Sequence, residues 1–191
     1  MSEIRQVTLP EGGSRASVYP ELFSQLEGLL DGETDAIAGL ANCASLLYFG
    51  CRLWWVGFYR VMLPAATTIG TTDLPSSPEI HQLPDAGTLV LGPFHGPVAC
   101  VRIGFGAGVC GAAWRDRRLL NVPDVDAFPG HIACSSESRS ELVAPIHAGG
   151  DPARAVVAVL DLDSAVPGDF DTTDERWIER IAGLIGRRLY P

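Results

Sequence analysis

Residues 141–164 read ELVAPIHAGGDPARAVVAVLDLDS, and this stretch decides the fold. Two apolar runs, ELVAPIHA (141–148) and RAVVAVLDLDS (154–164), flank the turn GGDP. Runs rich in β-branched residues around such Gly/Pro punctuation predict an antiparallel hairpin. In the second run, side chains alternate, so Val157, Val159, Asp161 and Asp163 share one face while Leu160 and Leu162 share the other. Two acids on an apolar strand face are costly unless they are paired, hydrated or part of a site. The competing reading is a strand end reaching water. Glu141 opens the companion strand and is placed to join them. Three clustered carboxyl groups repel one another, so at least one keeps its proton near neutrality and becomes a proton donor.

Working outward, WWVGFYRVML (54–63), TLVLGPF (88–94), ACVRIGF (99–105) and RRLLNV (117–122) read as further strands. The linker HGPV makes 88–94 and 99–105 a second hairpin. A short helix is expected over 108–116. Residues 20–31 and 33–49 read as two helices; in the second, Ile37, Leu40, Ala41, Ala44 and Tyr48 fall at helical spacing. The last helix carries one apolar stripe, Trp177, Ile178, Ile181, Leu184, Ile185 and Leu189, and Thr172 with Glu175 offers a capping box. Residues 1–18 read as a loose arm. Residues 64–87, rich in Pro, Thr and Ser, read as a surface loop or insertion. Helices at both ends of a mostly antiparallel sheet define an α+β class, with 1–191 as a single domain.

The bulk numbers fit that frame. A chain of 191 residues with 47% hydrophobic content suits one domain with a real core. No run approaches the ~18 apolar residues of a membrane span, and the start MSEIRQVTLPEGG lacks a secretory pattern. A net charge of -9, with all 14 basic residues being Arg, argues against nucleic acid as a partner. Five cysteines without a leader imply a reducing, cytoplasmic compartment, where thiols are free or catalytic.

The stretch 122–146, VPDVDAFPGHIACSSESRSELVAPI, delivers Cys134 on a Pro-Gly-broken loop before a hydroxyl-rich segment and Glu141. Such a thiol reads either as a nucleophile or as one small hydrophobe packing the loop. Cys100 and Cys110 are candidate resolving thiols. Cys110 lies near a helix start, where the macrodipole favours a thiolate, whereas Cys100 begins a strand and has packing as its alternative. Cys43 and Cys51 read as buried packing groups. Trp55 and Tyr59 alternate to one side of their strand, as core or as pocket wall, and Phe58 has the same two readings. Gly106, Gly108 and Gly111 spell GxGxxG, with Asp126 following, but no alternating strand–helix series accompanies them, so a dinucleotide site is not expected. His95, Cys100, Cys110, His131 and Cys134 match no metal-binding spacing.

The strings WVGFYR, LGPFHGPVACVRIGFGAGVCGAAW, NVPDVDAFPGHIACSSESRSELVAPI and VLDLDS, followed by FDTTDE, resemble the free methionine-R-sulfoxide reductase family, which is built on a GAF domain. The resemblance covers most of 54–175, in order, and is highly specific. The 1–18 arm, the 64–87 insertion and a longer HAGGDPARA loop depart from it; the insertion is placed to cover or gate a pocket. By resemblance, Cys134 is the catalytic cysteine, Cys100 the resolving one and Cys110 an auxiliary resolving thiol. Glu141, Asp161 and Asp163 match the acids of the substrate site, and Trp55 and Tyr59 the aromatic wall for the substrate methyl group. The implied activity is thiol-dependent reduction of free L-methionine-R-sulfoxide under oxidative stress. It runs through a sulfenic acid and an intramolecular disulfide, with a thioredoxin-like reductant as partner and no metal or organic cofactor. A homodimer is compatible with the sequence. The alternative of another class is a non-catalytic GAF module that senses a small ligand.

Overall fold

In the computed structural model, residues 7–63, 87–130 and 137–191 are described. Four helices and six strands follow in the order α1 (Tyr19–Leu29), α2 (Ala36–Cys51), β1 (Trp55–Met62), β2 (Thr88–His95), β3 (Arg102–Gly104), α3 (Gly108–Asp116), β4 (Leu120–Val122), β5 (Ser140–His147), β6 (Val156–Ser164) and α4 (Thr172–Leu189). The strands form one sheet in the order β3-β2-β1-β6-β5-β4, and every neighbouring pair is antiparallel. Both expected hairpins are present, as β2–β3 and β5–β6. The antiparallel sheet and the nine-residue α3 leave no βαβ unit around Gly106, Gly108 and Gly111.

The alternation of β6 sorts the two faces. Leu160 and Leu162 join Phe58, Leu142, Ala144 and Ile146 against the terminal helices, in a core that includes Leu22, Leu26, Leu40, Leu47, Ile178 and Ile181. Helix α2 reaches that core through Leu40, Cys43, Ala44, Leu47 and Cys51, a helical stripe in which the two cysteines are wholly buried. Truncating one fully buried leucine here would cost about 2–5 kcal/mol. The opposite face is covered by α3, with Val109, Cys110 and Ala113 packed over Tyr59, Val143 and Val159. No helix among the described residues is long and apolar enough to cross a membrane.

Two expectations are corrected. The α4 capping box is Asp171 with Asp174, one residue before the Thr172–Glu175 pair. The extended Asp171 carboxylate accepts the N–H groups of Thr173 and Asp174, and Asp174 accepts the N–H of Asp171. The arm expected loose over 1–18 is anchored where it is described. Arg15 pairs with Asp174 at 2.8 Å and with Asp169 at 3.1 Å, and Leu9 and Val18 are buried. An arginine in a polar, Gly-containing segment gave no local sign of partners about 150 residues away. Residues 1–6 and 64–86 of the arm and insertion lie outside the described residues.

Candidate active site

The site occupies the α3 face of the sheet, at the end where β6 finishes. Asp161 and Asp163 project from β6, the strand between β1 and β5. The register sets Glu141 of β5 opposite Asp163 on one side, and Trp55 of β1 opposite Asp163 on the other. Asp161 faces Gly57 across β1. That glycine has a steric reason: a Cβ there would collide with the Trp55 indole, which lies over it. The three carboxyl groups therefore meet on one face, as the strand alternation predicted.

Helix α3 adds a thiol to this group. Cys110 Sγ lies 3.2 Å from Asp161 Oδ2, to which its S–H donates, and 3.9 Å from Glu141 Oε1. The helix is held close to the preceding turn because Gly111 has no Cβ; a methyl there would lie 2.5 Å from the Gly104 carbonyl oxygen. Ser138 donates a short hydrogen bond to Asp163. Glu141 and Asp161 share a carboxyl–carboxyl hydrogen bond, and no other described group donates to the buried Asp161 Oδ1. Among the described residues, no arginine pairs with any of the three carboxylates.

Burial without a counter-cation sets the protonation of the site. Burial, then the charges of Asp161 and Asp163, holds the Glu141 carboxyl well above the usual range. Burial and Asp163 do the same to Asp161. Burial pushes Asp163 up to about 6, opposed by the Ser138 hydrogen bond. The chamber thus holds carboxylic protons near neutrality. Cys110 corrects the thiolate expectation. It lies in the first turn of α3, but burial and the adjacent Asp161 and Glu141 raise its thiol well above the ordinary value. The helix terminus contributes at most ~2 kcal/mol of charge stabilisation, and burial between acids outweighs it.

Aromatic rings form the wall. Trp55 stacks on Tyr59 with centroids 6.2 Å apart and on Phe94 at 5.5 Å. Its indole N–H donates to the Pro97 carbonyl at 3.0 Å. That bond ties the wall to the segment 97–99, which lines the same cavity as Trp55, Tyr59, Cys110 and the three acids. Phe58 belongs to the opposite core instead. Cys100, directly after that segment, is disulfide-bonded, whereas the thiols of Cys43, Cys51 and Cys110 are free. Cys134 and His131 lie outside the described residues. His95 stacks on Tyr48 at 5.0 Å, against α2.

Sequence reasoning missed Ser138, Trp54 and Pro97 as cavity residues. Trp54 falls inside the expected strand 54–63 but precedes β1, so alternation does not fix its side, and Ser138 and Pro97 come from segments between strands, where no period applies. Phe94, which backs Trp55, follows from the β1–β2 register, which no local pattern reveals.

An antiparallel six-stranded sheet with the terminal helices on one face and, on the other, α3 over an acid-lined cavity define a GAF domain, and the GAF domain model matches residues 25–189. Within that class the chain belongs to the free methionine-R-sulfoxide reductase family. It is 34% identical to a protein of that name from Escherichia coli (strain K12), over 92% of this chain and 91% of the relative. It is 33% identical to another from Saccharomyces cerevisiae, over 91% and 87%. The structure of the free methionine-R-sulfoxide reductase from Neisseria meningitidis in complex with its substrate superposes with a TM-score of 0.76 at 38% identity, covering 98% of this chain and 95% of that one.

Proposed function

We propose that the chain is a single catalytic domain, working in the cytoplasm, that reduces free L-methionine-R-sulfoxide to methionine. The observation that carries this reading is the set of buried Glu141 and Asp161 with half-buried Asp163, paired with no arginine among the described residues, beside the Trp55–Tyr59 wall. Such a chamber suits a ligand that brings its own ammonium and also needs a proton delivered to a sulfoxide oxygen. Trp55 and Tyr59 would hold the S-methyl group, and the acids would hold the ammonium.

The Cys134 sulfur attacks the sulfoxide sulfur while a carboxylic proton from the acid set reaches the oxygen, and the thiol proton returns to the acid set. The oxygen then passes from the substrate sulfur to the Cys134 sulfur as the transient bond between the two sulfurs breaks, methionine leaves, and Cys134 carries a sulfenic acid. The Cys100 thiol displaces that oxygen as water and forms a disulfide with Cys134. The disulfide-bonded state of Cys100 and the free thiol of Cys110 support this pairing. A thioredoxin-like dithiol then returns two electrons and two protons. Cys110, protonated between acids, serves as a donor on the chamber floor rather than as the resolving thiol. No cofactor enters any step.

The test is consumption of the free R-sulfoxide with dithiothreitol as reductant. Turnover of the R epimer, with little on the S epimer or on peptide-bound sulfoxide, is the expected result, because polar groups aimed at a substrate's charges reject analogues that leave them unpaired. Absence of thiol-dependent turnover would leave the ligand-sensor alternative standing.

A further inference from the structure

We propose that the chamber is also a binding site for a thiophilic divalent cation, with zinc as the type, held by Cys110, Glu141 and Asp161 and excluding the amino-acid ligand while bound. The sulfur and carboxylate oxygens of these three residues all lie within 4.8 Å of one another, and all three side chains are buried. Zinc bonds of about 2.3 Å to sulfur and about 2.1 Å to oxygen, at tetrahedral angles, place sulfur and oxygen about 3.6 Å apart. The observed separations from Cys110 Sγ, 3.2 Å to Asp161 and 3.9 Å to Glu141, bracket that value. A small rotation of either carboxyl group completes the fit.

A second observation points to a cation. Asp161, only 6% exposed, shares a proton with Glu141 in a carboxyl–carboxyl hydrogen bond, a position that a metal ion can take, and no other described group donates to its Oδ1. No arginine pairs with the carboxylates among the described residues, so nothing described occupies the place of a positive charge. One thiolate with two carboxylates gives a borderline-soft set that takes zinc or cobalt in preference to calcium or magnesium. Three protein ligands leave a fourth position, for water, toward the cavity. Binding breaks the Cys110 S–H bond, forms a sulfur–metal bond and releases to solvent the thiol proton together with the protons that Glu141 and Asp161 carry. The metal needs no redox partner and takes no part in sulfoxide reduction.

Metal binding rests on this geometry alone; the competition with a methionine sulfoxide rests on the reductase reading. The test uses the full chain in its disulfide form, in which Cys100 is not a free ligand, and cobalt(II) as the probe. The expected result is a near-ultraviolet thiolate-to-cobalt absorption that saturates at one ion per chain and is bleached when zinc displaces the cobalt. Cys110→Ser, isosteric with the native residue, loses the band. Glu141→Gln keeps the thiol and weakens cobalt binding by about tenfold or more, since loss of even an outer-shell group costs about that much. Free methionine-R-sulfoxide bleaches the band by competition. Absence of the band, or an equal band in Cys110→Ser, overturns the site. Persistence of the band in saturating sulfoxide overturns the exclusion. A cobalt band without thiol-dependent turnover sinks the reductase reading and leaves the metal site, and turnover without a band does the reverse.

Discussion

Asp163→Asn should gain stability relative to the wild type as pH rises from 4 to 8. The folded structure holds the Asp163 carboxyl at about 6 against an ordinary 3.8, mainly through burial. A folded value raised above the unfolded one means that the native state binds the proton more tightly. The associated stability is fully present below pH ~4 and is lost as pH rises through about 6. The displacement corresponds to roughly 3 kcal/mol. Glu141 and Asp161 are also held well above their ordinary values, so they extend the loss to higher pH. Asn keeps an oxygen to accept the Ser138 hydroxyl, and its new N–H₂ adds an offset that does not depend on pH. Urea unfolding of both proteins at pH 4 and pH 8 separates these effects. The difference in unfolding free energy, variant minus wild type, should increase by up to about 3 kcal/mol across that interval, with m unchanged. A difference that stays flat, or falls, with pH would refute the argument that these carboxyl groups are buried at a cost.

The same groups have a chemical counterpart. Glu141→Gln and Asp161→Asn should slow methionine release in a single turnover by ~10²–10⁴-fold, and wild-type rates at every pH would make the acids bystanders. Cys134→Ser should release no methionine, whereas Cys100→Ser should release one equivalent and fail to be recycled by thioredoxin; release by Cys134→Ser would move the nucleophile to Cys110. Arg15→Ala strips Asp174 and Asp169 of their cation, and Asp174 is only 3% exposed. Loss of a partly buried partner of this kind should cost roughly 3 kcal/mol in urea unfolding, and an unshifted midpoint would show the anchor to be energetically idle.

How much of this was legible depended on the range of the physics involved. Strand period two is local, so VVAVLDLDS alone placed Asp161 and Asp163 together and sent Leu160 and Leu162 to the helices. The hairpin is nearly local: a GGDP turn between two runs put Glu141 on the adjoining strand, and the register set it opposite Asp163. The α4 cap moved by one residue because Asp171 and Thr172 both suit an N-cap, and only the chain's path chose between them. The Arg15 anchor was invisible because an ion pair to Asp174 depends on where two distant segments meet, not on the neighbours of either.

Cys110 marks the sharper limit. Its sequence surroundings, glycines at the start of a short helix, argued for a stabilised thiolate, and that local argument holds as far as it goes. The structure turns the same helix terminus inward, so the thiol donates to Asp161 and faces Glu141 instead of water. A helix N-terminus acts through a partial charge worth at most ~2 kcal/mol, and mostly where solvent shares the site. Burial acts on the whole charge, and two acid neighbours act with the same sign. The protonation state of Cys110 is therefore a property of the tertiary structure, set by the β5–β6 register that first brings the acids together and then by the α3 packing that closes over them. The thiol whose local sequence favoured a thiolate is the one the fold keeps protonated. The attacking role that we propose for Cys134 is not one that Cys110 can share while its thiol stays protonated.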